Sequence, residues 1–466
     1  MILSPLFAVL LSAVSIAAAP ASSPPQIPWS ASTLPPPPPP RSLLSLSLSL
    51  SAPHLAQSLD RLEPSILTDH LETRIVQLPL KHLSRLDQHV QEWHHLARKV
   101  SIQPPDLAAR RVSLDITEGD KALLTLAGLR FVDVTDDDDD DDDDDAPPPA
   151  FVGPGYPTSL SHNSTSLAPL FATVSTESMR AFLSTFTDFY TRYYRSQTGR
   201  DSQRFLVDHL EQLHRDLDPA ANVTFREFEH EWNQRTVIVR WEPSAHVSEP
   251  EVVILSAHQD STNSLPFLRA PGADDDGSGT VTLVETFKQL LRHRYRPVDR
   301  AVELIFFSAE EGGLLGSGQV AREYAKNKVK VKALFHMDVV AYVKAGTEPV
   351  IGMITDGVSP ELVEFMKLLV DEYAEIPYAE TQCGYGCSDF ASFTRSGFRT
   401  ACLAEGKFED SNPNMHSTRD TTALAEFSFD HVAQFVRVAI GYAVELGGFE
   451  KREKEDKGRS GRWRID

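Results

Sequence analysis

Histidines and carboxylates recur in this chain at the ends of apolar runs. His258-Gln259-Asp260 follows Val252 to Ala257, and Glu310-Glu311 follows Val302 to Ala309. Asp338 closes the run that begins at Lys332, and Asn414-Met415-His416 lies beyond a run ending at Leu403. Between the first two stands Gly272-Ala273-Asp274-Asp275-Asp276-Gly277. Imidazole nitrogens and carboxylate oxygens are zinc donors, and a carboxylate beside a metal can also move a proton. Each piece alone has a plain structural reading. A histidine after a strand is usually a surface residue. Asp-Asp-Asp-Gly suits a turn and a helix cap. Glu310-Glu311 suits a helix start, where the dipole favours acids. A histidine or an acid at the end of strand after strand is instead the pattern of a metal site.

Such delivery requires strands whose carboxyl ends share an edge, since ligands of open α/β sheets bind beyond those ends. Strands are expected at Thr236 to Trp241, Val252 to Ala257, Val302 to Ser308, Lys332 to Met337 and Arg399 to Leu403. Helices are expected at Asp201 to Leu217, Ser278 to Leu291, Gly313 to Tyr324, Pro360 to Tyr373 and Ala425 to Leu446. A further helix, Thr176 to Gln197, would place Met179, Phe182, Leu183, Phe186, Phe189, Tyr190 and Tyr193 on one face. Continuous apolar strands alternating with helices predict an α/β fold. Its central sheet would be mixed, mainly parallel, with helices on both faces.

Composition narrows the function classes. The chain has 466 residues and a formal net charge of −21, ten of which come from the run Asp136 to Asp145. An acidic chain repels phosphate backbones, so nucleic acid is not an expected partner. No internal apolar run reaches the roughly 18 residues of a membrane span. Residues 1–19 read as a signal peptide, with an uncharged start, the apolar middle Leu6 to Leu11 and Ala17-Ala18-Ala19 before the cut. Residues 20–60 are low in complexity, with Pro35 to Pro40 and a Ser-Leu alternation. Residues 61–135 regain globular character, with short strands at Val112 to Ile116 and Gly128 to Val134, and are expected to be a pro-region. Residues 136–162 form an acidic and Pro-rich linker, 163–448 the main domain, and 449–466 a charged tail. Arg110-Arg111 and the stretch from Ala146 to Thr165 both offer cleavage sites. Asn163-Ser164-Thr165 and Asn222-Val223-Thr224 are N-glycosylation sequons, consistent with a secreted, extracellular protein. Of three cysteines, Cys383 and Cys387 are close enough in sequence to bridge, and Cys402 is left over.

Six blocks, in order, resemble the secreted bacterial and fungal leucine aminopeptidases with co-catalytic zinc. They are His258-Gln259-Asp260-Ser261, Ala270 to Gly279, Ala309-Glu310-Glu311-Gly312, Met337-Asp338, Cys383 to Asp389, and His416-Ser417-Thr418-Arg419-Asp420. The likeness covers roughly 163–448, and Lys121 to Thr135 resembles the end of that family's fungal pro-region. It implies a zinc exopeptidase fold with two zinc ions per chain. His258 and Asp338 would hold one ion, Glu311 and His416 the other, and Asp275 would bridge them. Asp275-Asp276 would be a cis peptide, Asp260 would orient His258, and Glu310 would be the general base. Cys383 and Cys387 would form a disulfide lining the substrate pocket, with Tyr385 near the reacting carbonyl; Met415, just before His416, is expected in the same apolar pocket. The implied substrate is a peptide with a free N-terminus and an apolar first residue such as leucine, and a monomer is expected. Three other readings stay open on sequence alone. One is a two-zinc carboxypeptidase or dipeptidase, for which Arg395, Arg399 and Arg419 could supply a cation. The others are a single-zinc glutaminyl cyclase and a non-catalytic binding protein.

Overall fold

Every residue of Val252–His258 is buried, and so is every residue of Ala301–Phe307. Strands covered on both faces need no polar alternation, which is why these two runs read as continuous apolar segments. The computed structural model describes residues 80–103, 112–127, 129–135, 155–245 and 247–451. The expected signal peptide, the low-complexity stretch, Arg110-Arg111, the Asp run and the tail beyond Lys451 lie outside the described residues. The chain divides into two compact units, up to Asp136 and from Asp137.

In the first unit, helix α1 (Leu80–Glu92) precedes strands β1 (Ala97–Gln103) and β2 (Val112–Thr117), helix α2 (Lys121–Ala127) and strand β3 (Arg130–Asp133). The strands form an antiparallel sheet in the order β2-β1-β3. Four buried charges cross-link it: Arg98 meets Glu118 at 2.7 Å and Lys121 meets Asp133 at 2.6 Å. Pairing of this kind is what allows ions to be buried at all.

The second unit begins with α3 (Ser164–Phe171), α4 (Thr176–Phe186) and α5 (Gln197–Leu217). Strands β4 (Val223–Phe228), β5 (Thr236–Trp241) and β6 (Val252–His258) follow, then α6 (Gly277–Arg292), β7 (Tyr295–Arg296) and β8 (Ala301–Phe307). The chain continues through α7 (Leu315–Lys326), β9 (Val331–Met337), β10 (Ile351–Ile354), α8 (Pro360–Tyr373), β11 (Tyr378–Thr381), α9 (Phe390–Arg395) and β12 (Thr400–Ala404). Helix α10 (Phe429–Gly447) and β13 (Glu450–Lys451) close it. Eight strands form one sheet in the order β11-β10-β12-β9-β6-β8-β5-β4. The central pairs β12-β9, β9-β6 and β6-β8 are parallel, as is β10-β11. The β10-β12, β8-β5 and β5-β4 pairs are antiparallel. Helices α6 and α10 pack against β6 and β8, and α9 against β9 and β12. The fold is therefore the mixed α/β sheet that the sequence predicts. Among the described residues no helix is long and apolar enough to cross a membrane.

One expected element is corrected. The helix predicted from Thr176 to Gln197 stops at Phe186, where the Thr187 hydroxyl turns back onto the Leu183 carbonyl at 2.7 Å. The aromatic residues beyond it pack from a loop: Phe189 lies 6.1 Å from the Phe205 ring and Tyr193 4.6 Å from Tyr194. Ser196 then caps α5 by accepting from the Gly199 amide at 2.9 Å. Strands β4, β10 and β11 had no clear sequence signal. Strands β4 and β11 are the two edges of the sheet, where one face need not be apolar, and β10 is buried but only four residues long.

Candidate metal centre

The three central parallel strands end side by side, and each carries a donor at its end or in the turn beyond it. His258 is the last residue of β6, Asp338 follows β9, and Glu310-Glu311 follow β8 after Ser308 and Ala309. Asp275 and Asp276 stand at the start of α6, where Asp276 caps the helix by accepting from the Gly279 amide at 2.8 Å. The other Asp276 oxygen accepts from the His258 amide at 3.1 Å, locking the end of β6 to the start of α6. The Asp275-Asp276 peptide is cis. His416, at a φ of +54°, comes from the loop after β12.

These turns bring two donor clusters together, His258-Asp275-Asp338 and Asp275-Glu311-His416. His258 Nε2 lies 3.2 Å from Asp275 Oδ1 and 3.4 Å from Asp338 Oδ1. His416 Nε2 lies 3.1 Å from Asp275 Oδ2 and 3.0 Å from Glu311 Oε2. One oxygen of Asp275 thus faces each cluster. Glu310 belongs to neither cluster. Asp260 lies 3.5 Å from His258 Nδ1, and its two oxygens accept from the amides of Glu310 at 3.1 Å and Glu311 at 3.2 Å.

The electrostatics call for positive charge here. Burial alone would lower the His258 pKa, but Asp338, Asp260 and Asp275 raise it well above the ordinary value. His416 behaves likewise, burial being outweighed by Glu311 and Asp275. Burial would raise Asp275, yet the two neighbouring histidines hold it well below the usual carboxylate range. Both ring nitrogens of His258 and Oε1 of Glu311 are buried with no hydrogen-bond partner. Orphaned buried donors of this type fit a metal ion, and two histidines with three carboxylates suit zinc.

Buried acids that the sequence reading passed over support this group. Asp420 accepts from the amides of Asp274 at 3.1 Å and Asp275 at 3.0 Å. Asp274 accepts from the Ala341 amide at 3.0 Å and from Asn412 Nδ2 at 3.0 Å. Glu405, next after β12, accepts from the amides of Tyr342 and Asn412 at 2.9 and 2.7 Å. Asp389 is fully buried, both its oxygens lack a partner, and burial pushes its pKa up to about 8. Asp274, Asp389 and Asp420 each sit inside a quoted sequence block, so their positions were visible and their contacts were not.

Cys383 and Cys387 are disulfide-bonded, and Cys402 is a buried free thiol. Tyr385, inside the bridged loop, and Met415, just before His416, are both half-buried. The sequon residues Asn163 and Asn222 are exposed. Arg399 lies over the Tyr156 ring, 5.6 Å from its centre.

Residues 236–440 match peptidase family M28. The chain is 39% identical to leucine aminopeptidase 1 of Neurospora crassa over 350 residues, covering 73% of this chain and 85% of that protein. It is 37% identical to a probable aminopeptidase of Saccharomyces cerevisiae, covering 72% of this chain and 90% of that protein. In fold it is similar to the Legionella pneumophila aminopeptidase LapA, with a TM-score of 0.67 at 22% identity, covering 76% of this chain and 99% of the other.

Proposed function

The chain belongs to peptidase family M28 and is a zinc-dependent aminopeptidase; we propose that it removes single apolar residues such as leucine from peptides with a free N-terminus. One observation carries the two-zinc reading: the Asp275 carboxylate turns one oxygen to the His258 cluster and the other to the His416 cluster. His258 and Asp338 would hold one zinc ion, Glu311 and His416 the other, with Asp275 shared. When bound, zinc supplies Lewis acidity, which acidifies water and polarises the scissile carbonyl.

The remaining roles fall to this chain's own residues. Glu310 is the general base: it takes the proton of the attacking water and returns it to the leaving amine. Asp260 fixes the Glu310-Glu311 turn through both backbone amides, which keeps the two side chains on separate tasks. The acids around the centre hold a protonated α-amine, and an acetyl cap removes that charge. Tyr385 and Met415 contribute to an apolar pocket for the first side chain. Burial of a leucine side chain there is worth about 1.5–3 kcal/mol, roughly ten- to a hundredfold in kcat/KM. The protein acts as a secreted monomer, glycosylated at Asn163 and Asn222 and made with a pro-region.

A panel of aminoacyl-nitroanilides tests the reading. Leucine, methionine and phenylalanine substrates should be cleaved, acetyl-leucine and glutamyl substrates poorly, and chelation should abolish turnover until zinc is restored. Equal cleavage of the acetylated substrate, or release from the C-terminus only, would overturn the aminopeptidase assignment.

A further inference from the structure

Between β6 and the Asp triplet the chain makes an excursion from Gln259 to Gly272. His258 stands immediately before it, and Asp275 lies three residues after it. Arg192, from the loop between α4 and α5, joins the two ends. Its Nε donates to the Gln259 carbonyl at 2.9 Å, its Nη2 to the Gly272 carbonyl at 2.7 Å, and its Nη1 to the Pro271 carbonyl. Its backbone amide donates to Ser261 Oγ at 3.1 Å, and that hydroxyl donates to the Ala270 carbonyl at 2.8 Å. Thr191 forms a β-bridge with Ala270.

The contact is built rather than incidental. Gly272 has a φ of +52°, and a Cβ there would come within 2.9 Å of Arg192 Nη2 and 2.5 Å of the Ser261 Cβ. Glycine is what lets the guanidinium reach this carbonyl with the Ser261 side chain packed beside it. The guanidinium also lies over the Phe186 ring, 4.4 Å from its centre. Arg192 has no exposed surface. Among the described residues no carboxylate oxygen lies within ion-pair distance of it, so its partners are carbonyls alone. Burial lowers its pKa to about 10, against the raising influence of Asp420, Asp260, Asp275 and Asp276, so it stays charged at neutral pH. Closing a loop needs no buried cation. A planar fork on three carbonyls does something more, because it fixes their relative positions.

We propose that Arg192 is a positioning residue for the His258-Asp275-Asp338 pocket: it sets the spacing between the strand end that carries His258 and the turn that carries Asp275. The inference rests on the two-zinc reading above. The Glu311-His416 pocket takes its other donors from outside the excursion. It too is tied to the excursion, through Asp260, which accepts from the Glu311 amide at 3.2 Å, and Ser264, whose amide donates to the His416 carbonyl at 2.9 Å. Neither residue carries a carbonyl that the Arg192 fork holds.

The test measures zinc affinity by chelator competition on the full chain, with each pocket isolated. In a His416→Ala background the remaining ion occupies the His258 pocket; in a His258→Ala background it occupies the other. Arg192→Lys keeps the charge and loses the fork. It should weaken zinc ten- to a hundredfold in the first background, the scale seen when supports of metal ligands are removed. In the second background the loss should be smaller, since there the fork acts on the donors only through Asp275, Asp260 and Ser264. Unchanged affinity in the first background, or equal loss in both, overturns the proposal. If Arg192→Lys does not fold, Ser261→Ala decides: a loss larger in the first background supports the proposal, and no loss or an equal loss overturns it. A parent chain that binds no zinc would sink the metal-centre reading itself, which is a separate result.

Discussion

Glu310 and Glu311 are neighbours in sequence and part company in space. Glu311 lies 3.0 Å from His416, whereas Glu310 joins neither donor cluster. If Glu311 is a ligand and Glu310 the base, loss of the base must fail differently from loss of a ligand. Glu310→Gln should keep the zinc content and the KM while lowering kcat by about 10²–10⁴, the usual worth of a general base. Asp275→Ala should lose zinc from both pockets, since it removes the shared donor. Metal analysis of dialysed protein with steady-state kinetics separates the two, and near-normal turnover by Glu310→Gln would remove it from the role. His258, Glu311 and Asp338 were legible in the sequence because each ends or follows an apolar run that had to be a strand, and Asp275 because its triplet stands before a helix start. Arg192 was not, because its neighbours Phe189, Tyr190 and Tyr193 continue the apolar spacing of α4. Nothing in local sequence says that its partners are carbonyls some seventy to eighty residues away.

Among the elements, those that carry the site were the most legible. Strands β6, β8 and β9 each appear within two residues of the expected limits, because burial on both faces leaves an uninterrupted apolar signature. Helix α8 has the expected limits, Pro360–Tyr373, its proline standing where a helix start tolerates one. Edge strands β4 and β11 were missed because half of their surface is open. Helix α10 offers a test at this scale. Ser428 caps it, and His431 in its first turn donates from Nε2 to the Val350 carbonyl at 3.1 Å, tying the helix to the segment before β10. His431 is 3% exposed, and burial lowers its pKa to about 4. The folded group therefore titrates below the unfolded one, at about 6.5. As pH falls from about 6.5 to 4, the unfolded chain takes up a proton that the folded chain refuses, and stability is lost. The full cost is about 3 kcal/mol on the scale of one pKa unit to 1.36 kcal/mol. Urea melts at pH 7 and pH 4.5 should show His431→Gln less destabilised by acid than the parent; parallel curves would exclude His431 as the source.

At the scale of the whole molecule, every proposed zinc ligand comes from the unit that begins at Asp137, so that unit holds a complete centre without the residues before it. The proposed maturation removes the preceding unit by a cut in the acidic and Pro-rich stretch, and the structure bears on where the new terminus can lie. The Tyr156 hydroxyl donates to the Lys332 carbonyl at 3.0 Å, and its ring stacks on Phe365 at 5.7 Å. The amides of Ser161 and His162 donate to the Glu445 carboxylate at 2.7 and 2.8 Å, and that side chain is fully buried. Asn163 caps α3 by accepting from the Ser166 amide at 2.9 Å. A cut after Asn163 would remove all of these and leave Glu445 with the Tyr373 hydroxyl, 2.8 Å away. Hydrogen bonds to a charged group contribute about 1.5–3 kcal/mol each, and a helix cap about 1 kcal/mol. The mature terminus is therefore expected between residues 137 and 155. With zinc held constant, a chain starting at Gly155 should melt at the temperature of the natural mature form, and one starting at Ser164 lower by roughly 5–10 °C or more. N-terminal sequencing of active secreted protein and thermal melts of the two truncations check this. An active form that begins near residue 20, or equal melting of the two truncations, would contradict the maturation proposed here.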